Sequence, residues 1–394
     1  MKFKTNILLS AMAVAFSSSV VAVEPEPYIT DSGIAIVPIL NAGYKYDDNI
    51  FNESSDATGA SIFTVAPAAR FLLDDGINSF QVDVGVESGT FINSADDNYL
   101  SGDLHFNSHL EPSSRSRFDI KLEANRYVEA RGTGVTEGLG DSVEEPLSYN
   151  EQLAQLTYEY GNLTAKGRVA VMARYYNKNF TNFSEITQFR NFDASTIGGT
   201  FFYSTNASTD AFIELKTNAI KYDAIEGISR DSDVITALVG VKWEATALTT
   251  GSFKIGHEQK RFEEAGRENF SGLSWEANVE WQPLTYSTFT LETSRKAKDP
   301  GAQGDYISES IYRVNWGHIW SEQISTTLNL SHIREEYTGF ERFDKSKNVY
   351  LAVNYKFKRW ADVSLYVANV NQDSNNDNIV YDKNTVGLNF TFSL

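Results

Sequence analysis

The amino-acid sequence predicts an all-β protein: a transmembrane antiparallel up-and-down β-barrel of about eighteen strands, with short periplasmic turns and longer extracellular loops. Three observations lead to this prediction. Apolar and polar residues alternate in one run after another, without a competing helical period. The apolar runs are about nine to eleven residues long, which is the length that a tilted strand needs to cross the hydrocarbon. Aromatic residues gather at the ends of these runs.

The aromatic residues divide according to the connection beside which they lie. We expect them to form girdles at the two membrane interfaces, with tryptophans at the periplasmic one and tyrosines at the extracellular one. The short turns have Trp243, Trp281, Trp320 and Trp360 beside them, and the long loops have Tyr99, Tyr222, Tyr306, Tyr337 and Tyr381.

Residues 1–22 have the organisation of a secretory signal peptide. Two lysines precede an apolar run at residues 7–16, and small residues end at Ala22, after which we expect cleavage. The apolar run is too short to span a bilayer. We expect a short periplasmic lead over residues 23–32 and the β-barrel over residues 33–394, placed in the bacterial outer membrane.

The composition narrows the possible functions. Cysteine is absent, so disulfides and thiolate metal sites are excluded. The formal net charge of −18 argues against a nucleic-acid partner. A hydrophobic content of 41% suits a membrane barrel, because only alternate residues of each strand face lipid.

The amphipathic runs define the strands in order. The clearest is Ser79–Ile92, in which Phe80 and Val82 alternate with Gln81 and Asp83. Pro38 and Pro67 interrupt the first two runs, where we expect a bulge or a strand end. A Gly-rich loop is expected at 131–147 and a tight hairpin at Gly161. The predicted strands cover residues 33–46, 61–73, 79–92, 99–110, 117–130, 152–160, 163–175, 194–203, 211–222, 234–245, 252–262, 273–282, 288–298, 310–320, 324–336, 348–358, 363–371 and 381–394.

The last run closes the barrel. One face of this strand is apolar and includes Val386 and Leu388, and the alternate residues on its other face are polar or small. A strand at the chain terminus must pair on both edges, so we expect it to zip against the first strand at 33–46. Thr385, Gly387, Phe390 and Phe392 resemble the C-terminal signal that the barrel-assembly machinery recognises, although Ser393 and Leu394 follow the last aromatic residue.

The polar faces of the strands carry charges of both signs. We expect these residues to line an aqueous lumen, because a barrel of about eighteen strands is wide enough to hold water. A mixed-charge passage would suit a hydrophilic solute; alternatively, the charges pair across strands and form a polar wall. The predicted pore-lining residues are Asp83, Glu87, Lys121, Glu123, Lys166, Arg168, Arg174, Lys254, Lys260, Glu276, Glu280, Glu292, Lys296, Arg313, Lys356 and Lys358.

The sequence offers little for catalysis. Neither Gly-x-Ser-x-Gly nor His-Glu-x-x-His is present, and His318 and His332 fall on the lipid parity near strand ends. The acidic segment at 373–378 lacks the glycine and the distal glutamate of a calcium loop. We therefore expect neither an enzyme, nor a cofactor, nor a specific metal site.

The first hairpin carries a short motif made of Tyr44, Tyr46, Asp47, Asp48, Asn49, Ile50 and Phe51. This motif resembles the opening of the putative β-barrel porin 2 family. In its own right it would end the strand at the water boundary, with the tyrosines, Ile50 and Phe51 anchored in the interface, or it would act as a loop staple.

The resemblance implies a conduit that exports a polysaccharide, such as an exopolysaccharide or capsule, across the outer membrane. The expected partners are then the glycan itself, outer-membrane lipid and lipopolysaccharide, the assembly machinery and a periplasmic export protein. Two alternatives remain. One is a diffusion porin for small hydrophilic solutes, which requires an inward-folded loop such as 131–147; the other is a surface or adhesin barrel plugged by its loops.

Overall fold

Eighteen long antiparallel strands close into a barrel, and a short nineteenth strand joins the same sheet. The computed structural model describes residues 26–206, 208–246 and 248–393. The predicted signal peptide at 1–22 and its cleavage point lie outside the described residues. Within them, each long strand pairs with its neighbours in sequence, so the predicted up-and-down topology is confirmed.

The strand bounds follow the predicted runs, with most strands longer than expected. The first strand, β1, is the short one. The strands are β1 (Tyr28–Ile29), β2 (Ala35–Asp47), β3 (Ala60–Asp74), β4 (Ser79–Ile92), β5 (Tyr99–Ser113), β6 (Ser116–Glu129), β7 (Leu147–Tyr160), β8 (Gly167–Phe180), β9 (Phe192–Asn206), β10 (Thr209–Tyr222), β11 (Ser232–Thr246), β12 (Thr249–Phe262), β13 (Phe270–Leu284), β14 (Ser287–Lys298), β15 (Tyr306–Ile319), β16 (Ile324–Thr338), β17 (Phe343–Lys358), β18 (Ala361–Ser374) and β19 (Tyr381–Ser393).

Within residues 26–206, 208–246 and 248–393, helical structure is confined to the loops. One α-helical turn, α1, covers Ser184–Thr187. Short 3₁₀ turns cover Ala95–Asp97, Gly134–Thr136, Gly140–Ser142, Gln188–Arg190 and Asp377–Ile379. No helix within the described ranges is long and apolar enough to cross a membrane.

The two faces of the barrel differ in chemistry because side chains alternate along each strand. On one face, large apolar side chains stand exposed, among them Leu215 at 59%, Val239 at 54% and Leu365 at 56%. On the other face, polar and charged side chains pair with each other around the lumen. An apolar outer face and a polar interior are the arrangement that a lipid bilayer requires of a barrel.

The barrel closes where β19 pairs with β2, as predicted. The register runs from Thr385 opposite Asp47 to Ser393 opposite Ile39. Beyond that point β1 takes over the free edge of β2, with Tyr28 opposite Ile36. The periplasmic lead is therefore partly a strand that covers the backbone groups left unpaired past the end of β19.

The prolines do not break their strands, so the expectation of a bulge or strand end was wrong. Pro38 lies opposite Ala69 inside β2, and its carbonyl oxygen accepts a hydrogen bond from the Ser393 hydroxyl at 2.8 Å. The pairing of β3 with β4 skips Ala66 and Pro67 and then resumes in the same register. Each proline costs a ladder donor without shifting the alternation of faces.

The connection between β7 and β8 also differs from the prediction. The expected tight hairpin at Gly161 is a longer turn over residues 161–166, in which the Asn162 side chain accepts from the Thr164 amide at 3.0 Å. The strand β8 therefore begins at Gly167. The strand β7 begins at Leu147, where the predicted loop was expected to end and five residues before the predicted start of the strand.

Candidate functional site

The candidate functional site is the extracellular mouth of the barrel, where three loops meet over the lumen. We call residues 48–59 the first loop, residues 130–146 the mouth loop and residues 299–305 the opposing loop. They join β2 to β3, β6 to β7 and β14 to β15, respectively. Because β6 and β14 lie on nearly opposite sides of the ring, a contact between the mouth loop and the opposing loop spans the opening.

Phe51 of the first loop anchors the mouth loop. Its side chain is 7% exposed, and the guanidinium carbon of Arg131 lies 4.1 Å from the ring centroid, a cation–π contact. A Cβ at Gly132 would collide with the Phe51 carbonyl, and a Cβ at Gly140 would lie 2.7 Å from the Phe51 Cβ. Gly132 also has a φ of 76°. Glycine is therefore required at residue 132 for both space and conformation.

Arg131 ties the mouth loop to the neighbouring loop as well. Its Nε and Nη2 donate to the two carboxylate oxygens of Asp97 at 2.7 and 2.5 Å, and its Nη1 donates to the Val143 carbonyl at 2.7 Å. Both members of this bidentate pair are buried. Such charge-assisted pairs fix the geometry of a loop more firmly than neutral hydrogen bonds do.

The aspartates and asparagine of the first-hairpin motif close the extracellular end of the seam. The Asp48 carboxylate accepts from the backbone amide and the side-chain amide of Asn384 at 2.7 and 2.9 Å. The Asn49 side chain donates to the carbonyls of Glu53 and Asp382 at 2.8 and 3.1 Å. These contacts link the first loop to β19 above the last paired residues.

The apolar part of the motif lies elsewhere than expected. Tyr44 and Tyr46 face outward, as interfacial anchors would. Ile50 and Phe51 are buried, so their expected place in the membrane interface was wrong and the loop-staple alternative describes them. They belong to an apolar cluster beneath the loops, which consists of Ile50, Phe51, Ala60 and Ile62 with Phe91 packed against it.

The mouth loop reaches the far side of the opening. A Cβ on Gly301 of the opposing loop would lie 2.9 Å from the carbonyl oxygen of Gly134, so the two backbones are in contact. Further along the mouth loop, Glu137 pairs with Arg342 at 2.8 Å, and Arg342 also pairs with Asp344. Burial raises the pKa of Glu137 above its ordinary value, while Arg342 acts in the opposite direction.

The opposing loop is held in place by arginines from two other loops. Arg190 and Arg230 donate to the carbonyl oxygens of Pro300, Gly301 and Ala302 at distances of 2.6 to 3.0 Å. Burial, together with the neighbouring Arg190, lowers the pKa of Arg230. The contact across the mouth is thus supported from both sides by buried polar groups.

Most of the predicted pore-lining residues occupy lumen-facing positions of their strands. Many of them are ion-paired with one another or with neighbours, which is the polar-wall arrangement. The pairs include Asp83 with Arg70 at 2.6 Å, Lys121 with Glu123 at 2.7 Å, Arg168 with Asp210 at 2.6 Å, Lys254 with Glu214 and Glu276 at 3.3 Å each, Lys260 with Asp299 at 2.7 Å, and Arg313 with Glu292 at 3.7 Å. The lumen-facing positions of their strands are also occupied by Glu87, Arg174, Glu280, Lys296 and Lys356.

Two predicted pore-lining residues lie outside the lumen wall. Lys166 is in the turn before β8, because that strand begins at Gly167. Lys358 follows a register shift in β17 that places it opposite Ala361, a residue of the outer parity, and its side chain is exposed. Both corrections concern strand ends, where alternation no longer determines direction.

Most of the tyrosines beside the long loops face the opposite way from the predicted direction. Tyr306 has the outward parity, but the others point into the lumen, so they do not form the expected extracellular girdle. The alternation of faces along the strand could have predicted this direction. Tyr381 lies on the same strand face as Lys383, and Val386 lies on the opposite face. The inward-facing residues are Tyr99, Tyr222, Tyr337 and Tyr381.

Inward aromatic residues on β6 to β10 form two groups of ring contacts, which together we call the lumen arc. Ring centroids lie 5.9 and 5.3 Å apart along Tyr127, Tyr149 and Phe180, and 5.7 and 5.4 Å apart along Tyr176, Phe192 and Tyr222. The Lys178 ammonium lies 3.8 Å from the Tyr149 centroid, and the Tyr176 hydroxyl donates to Glu151 at 2.6 Å. All are half-buried, so each ring leaves part of its surface to the lumen. The arc consists of Tyr127, Tyr149, Phe180, Tyr176, Phe192 and Tyr222.

At the periplasmic end the aromatic residues face outward, as expected of a membrane girdle. Trp281, Trp320 and Trp360 are 46%, 61% and 39% exposed. Trp281 stacks on Phe289 with centroids 5.4 Å apart, and His318 lies 4.1 Å from Trp320. This belt marks the interface at which the barrel meets the lipid headgroups.

The described part of the chain contains no group of three or more His, Asp or Glu side chains arranged to hold a metal ion. His318 and His332 have the outward parity, as the sequence indicates. Loops, ion pairs and aromatic rings around the lumen make up the site.

An apolar outer face, a charged lumen and loops folded over the extracellular mouth define a porin-like outer-membrane β-barrel channel. The chain belongs to the putative beta-barrel porin 2 family, whose model matches residues 33–394. No curated protein matches the sequence.

Comparison with solved structures finds similar folds among outer-membrane proteins, with a TM-score of 0.50 for the first of them. A BenF-like porin from Pseudomonas fluorescens Pf-5 matches with a TM-score of 0.50 and 11% identity, over 93% of this chain and 100% of that chain. The outer membrane protein opdK from Pseudomonas aeruginosa gives a TM-score of 0.48 and 12% identity, over 92% and 99%. OccAB2 from Acinetobacter baumannii gives 0.46 and 10%, over 92% and 98%. At these identities the likeness concerns the fold alone.

Proposed function

We propose that this barrel is a diffusion channel for small hydrophilic solutes, constricted at its extracellular mouth by the mouth loop. The observation that carries the proposal is the backbone contact between Gly134 and Gly301 across the opening. A diffusion porin needs an inward-folded loop to set its size limit. The mouth loop is such a loop, and the opposing loop meets it from the far side.

The lumen wall supports a channel of modest charge selectivity. Many acidic and basic side chains of the lumen wall are ion-paired, as in Lys254 with Glu214 and Glu276. Paired charges provide hydrogen-bonding groups for a hydrated solute without a strong net field. Below the mouth, the lumen arc narrows the passage with half-buried rings.

Export of a polysaccharide, which the family resemblance suggested, has no support from the comparisons. A polymer chain would have to displace the contact between the mouth loop and the opposing loop, together with the Glu137–Arg342 pair. A loop-plugged surface barrel is the remaining rival, since the same loops would then close the mouth completely. The two rivals make opposite predictions for conductance.

The test measures single-channel conductance in planar bilayers and liposome swelling with sugars of increasing size. The wild-type barrel should conduct and show a size limit, and replacing residues 133–141 by a short Gly-Ser linker should raise both. The matched control removes the exposed residues 54–57 of the first loop and should leave both unchanged. A silent wild type with a conducting linker variant would identify a plugged barrel, and silence of both would end the channel proposal.

We infer in addition that the assembly machinery recognises β19 through the predicted signal. Phe390 and Phe392 face outward with rings 6.4 Å apart, whereas Thr385 and Gly387 face the lumen. The aromatic pair is therefore accessible from the membrane side, where the assembly machinery would contact the strand.

A further inference from the structure

The outer surface of β16 and β17 carries a group of basic residues that the channel proposal does not use. Two cross-strand pairs form it: Arg334 stands opposite Lys345, and His332 stands opposite Lys347. All four lie on the outer face of the barrel, as do Leu330 and Val349 on the same strands. We call His332, Arg334, Lys345 and Lys347 the outer basic cluster.

The height of the cluster places it at the outer leaflet. On the periplasmic side of it, β17 presents Val349, Leu351 and Val353, which are 42%, 39% and 48% exposed and make up its apolar band. On the other side lies the extracellular loop at 339–342. The cluster therefore occupies the level of the outer-leaflet headgroups, immediately above the hydrocarbon.

The cluster lacks internal compensation. Like charges directly opposite each other on neighbouring strands destabilise a sheet. Within the described residues, Arg334, Lys345 and Lys347 make no ion pair at 4.0 Å or less, although Asp373 stands across from Lys345 and Glu336 follows on β16. By contrast, the outward Lys221 pairs with both Asp231 and Glu263. These three cations are therefore free to pair with an anion from outside the chain.

Neighbouring contacts hold the cluster in an ordered arrangement. The Arg334 Nε donates to the His332 Nε2 at 3.1 Å, and the His332 Nδ1 donates to the Ser346 carbonyl at 3.2 Å. This network uses one guanidinium donor and leaves both Nη groups of Arg334 available. The Tyr312 ring stacks on His332 with centroids 6.4 Å apart. Pre-ordered donors bind an anion at a smaller entropic cost.

We propose that the outer basic cluster binds the phosphate groups of lipopolysaccharide in the outer leaflet. Three permanent cations within two strand pairs match a ligand that carries more than one phosphate, and a free guanidinium edge matches the geometry of a phosphate oxygen pair. The cluster faces the membrane and not the lumen, so a solute in transit is not its ligand. Neutralisation by lipid phosphates would remove the cross-strand repulsion.

The test compares the purified full-length barrel with the variant R334Q/K345Q/K347Q in detergent. Diphosphoryl lipid A is the probe, with fully dephosphorylated lipid A and phosphatidylglycerol as comparison ligands. The wild type should bind the phosphorylated form and gain thermal stability from it, and the variant should bind about tenfold or more weakly, which corresponds to ~1.4 kcal/mol. The control variant K221Q, which removes an ion-paired cation, should bind as the wild type does.

A second measurement separates binding from folding. Without lipid, the triple variant should unfold at the same temperature as the wild type or higher, because the repulsion has been removed. Undiminished lipid A binding by the triple variant would overturn the proposal. An equal response of the wild type to phosphatidylglycerol would overturn the assignment to lipopolysaccharide, and an equal response to dephosphorylated lipid A would show that the phosphates are not recognised.

Discussion

The guanidinium of Arg131 lies 4.1 Å from the ring centroid of Phe51, which joins a residue of the mouth loop to one of the first loop. The two residues are 80 positions apart in the sequence, yet both are buried and their contact holds the mouth loop against the first loop. Gly132 and Gly140 allow the mouth loop to pack against the backbone carbonyl and the Cβ of the same residue, Phe51. The Phe51 ring is therefore one of the buried contacts that position the mouth loop.

Replacement of Phe51 by alanine should release the mouth loop. Truncation of a buried ring costs about 3 kcal/mol. Here the truncation destabilises the mouth loop in the conformation that packs against Phe51, relative to an open conformation. We expect higher single-channel conductance and a larger solute size limit, with the barrel intact. Phe63→Ala, which removes a 49% exposed ring from the outer face, is the matched control. An F51A barrel with wild-type conductance would contradict this role of Phe51.

Conductance should fall on acidification through Glu137. The pKa of Glu137 is raised in the docked loop, so the docked loop binds the proton more tightly than an open, solvated loop does. Docking is strengthened as the pH falls through the raised pKa, and the gain is complete below the ordinary value of 4.5. Asp344 and Glu335 raise this pKa and Arg342 lowers it, and burial outweighs Arg342.

The measurement for Glu137 is conductance between neutral pH and about pH 4, below its ordinary pKa. Glu137→Gln should flatten the response, because the amide stays neutral over the whole range. Glu144→Gln, in the same loop, removes an exposed carboxylate and should retain the wild-type profile. A rise in conductance on acidification, or an unchanged profile in E137Q, would show that another group controls the mouth.

The sequence was sufficient for the barrel because alternation is repeated in every strand. Each run places its apolar side chains on one face, and the bilayer allows a single consistent choice of outward face. The pairing of the last strand with the first followed from the same logic. The strand ends were less predictable, as Lys166 and Lys358 show, because a turn or a register shift there is decided by local hydrogen bonds.

The site was harder to predict because it depends on contacts between distant loops. Nothing local indicates that Gly134 will meet Gly301, or that Phe51 will be covered by Gly132 and Gly140. The inward direction of Tyr381 was within reach, since its parity is that of Lys383. Proximity to a long loop was the wrong criterion, and alternation was the right one.

Removal of the lumen arc should widen the passage below the mouth. Tyr149 and Phe180 are paired across β7 and β8 and leave part of their rings in the lumen. The double variant Y149A/F180A should admit larger sugars in liposome swelling, because each truncation removes a ring from the lumen wall. Tyr44→Ala on the outer face is the control. Unchanged permeation by the double variant would show that the arc does not restrict passage.

Loss of Asp48 should weaken the seam between β2 and β19. Its carboxylate accepts two hydrogen bonds from Asn384, and bonds to charged groups contribute about 1.5 to 3 kcal/mol when retained. Because this site is partly exposed, we expect Asp48→Ala to lower the free energy of unfolding by about 1 kcal/mol. Chemical denaturation in lipid vesicles measures the change. Asp96→Ala, an exposed carboxylate of a neighbouring loop, should be neutral.

The aromatic residues of β19 should affect assembly more than stability. Phe390 faces outward and is 36% exposed, and Phe80 on β4 is a close match at 38%. If Phe390 belongs to a recognition signal, Phe390→Ala should slow insertion by the assembly machinery, whereas Phe80→Ala should not. Both variants should fold into detergent at similar rates without the machinery, since each loses one ring from the lipid face. Equal slowing of the two variants in the catalysed reaction would show that β19 is read as an ordinary strand.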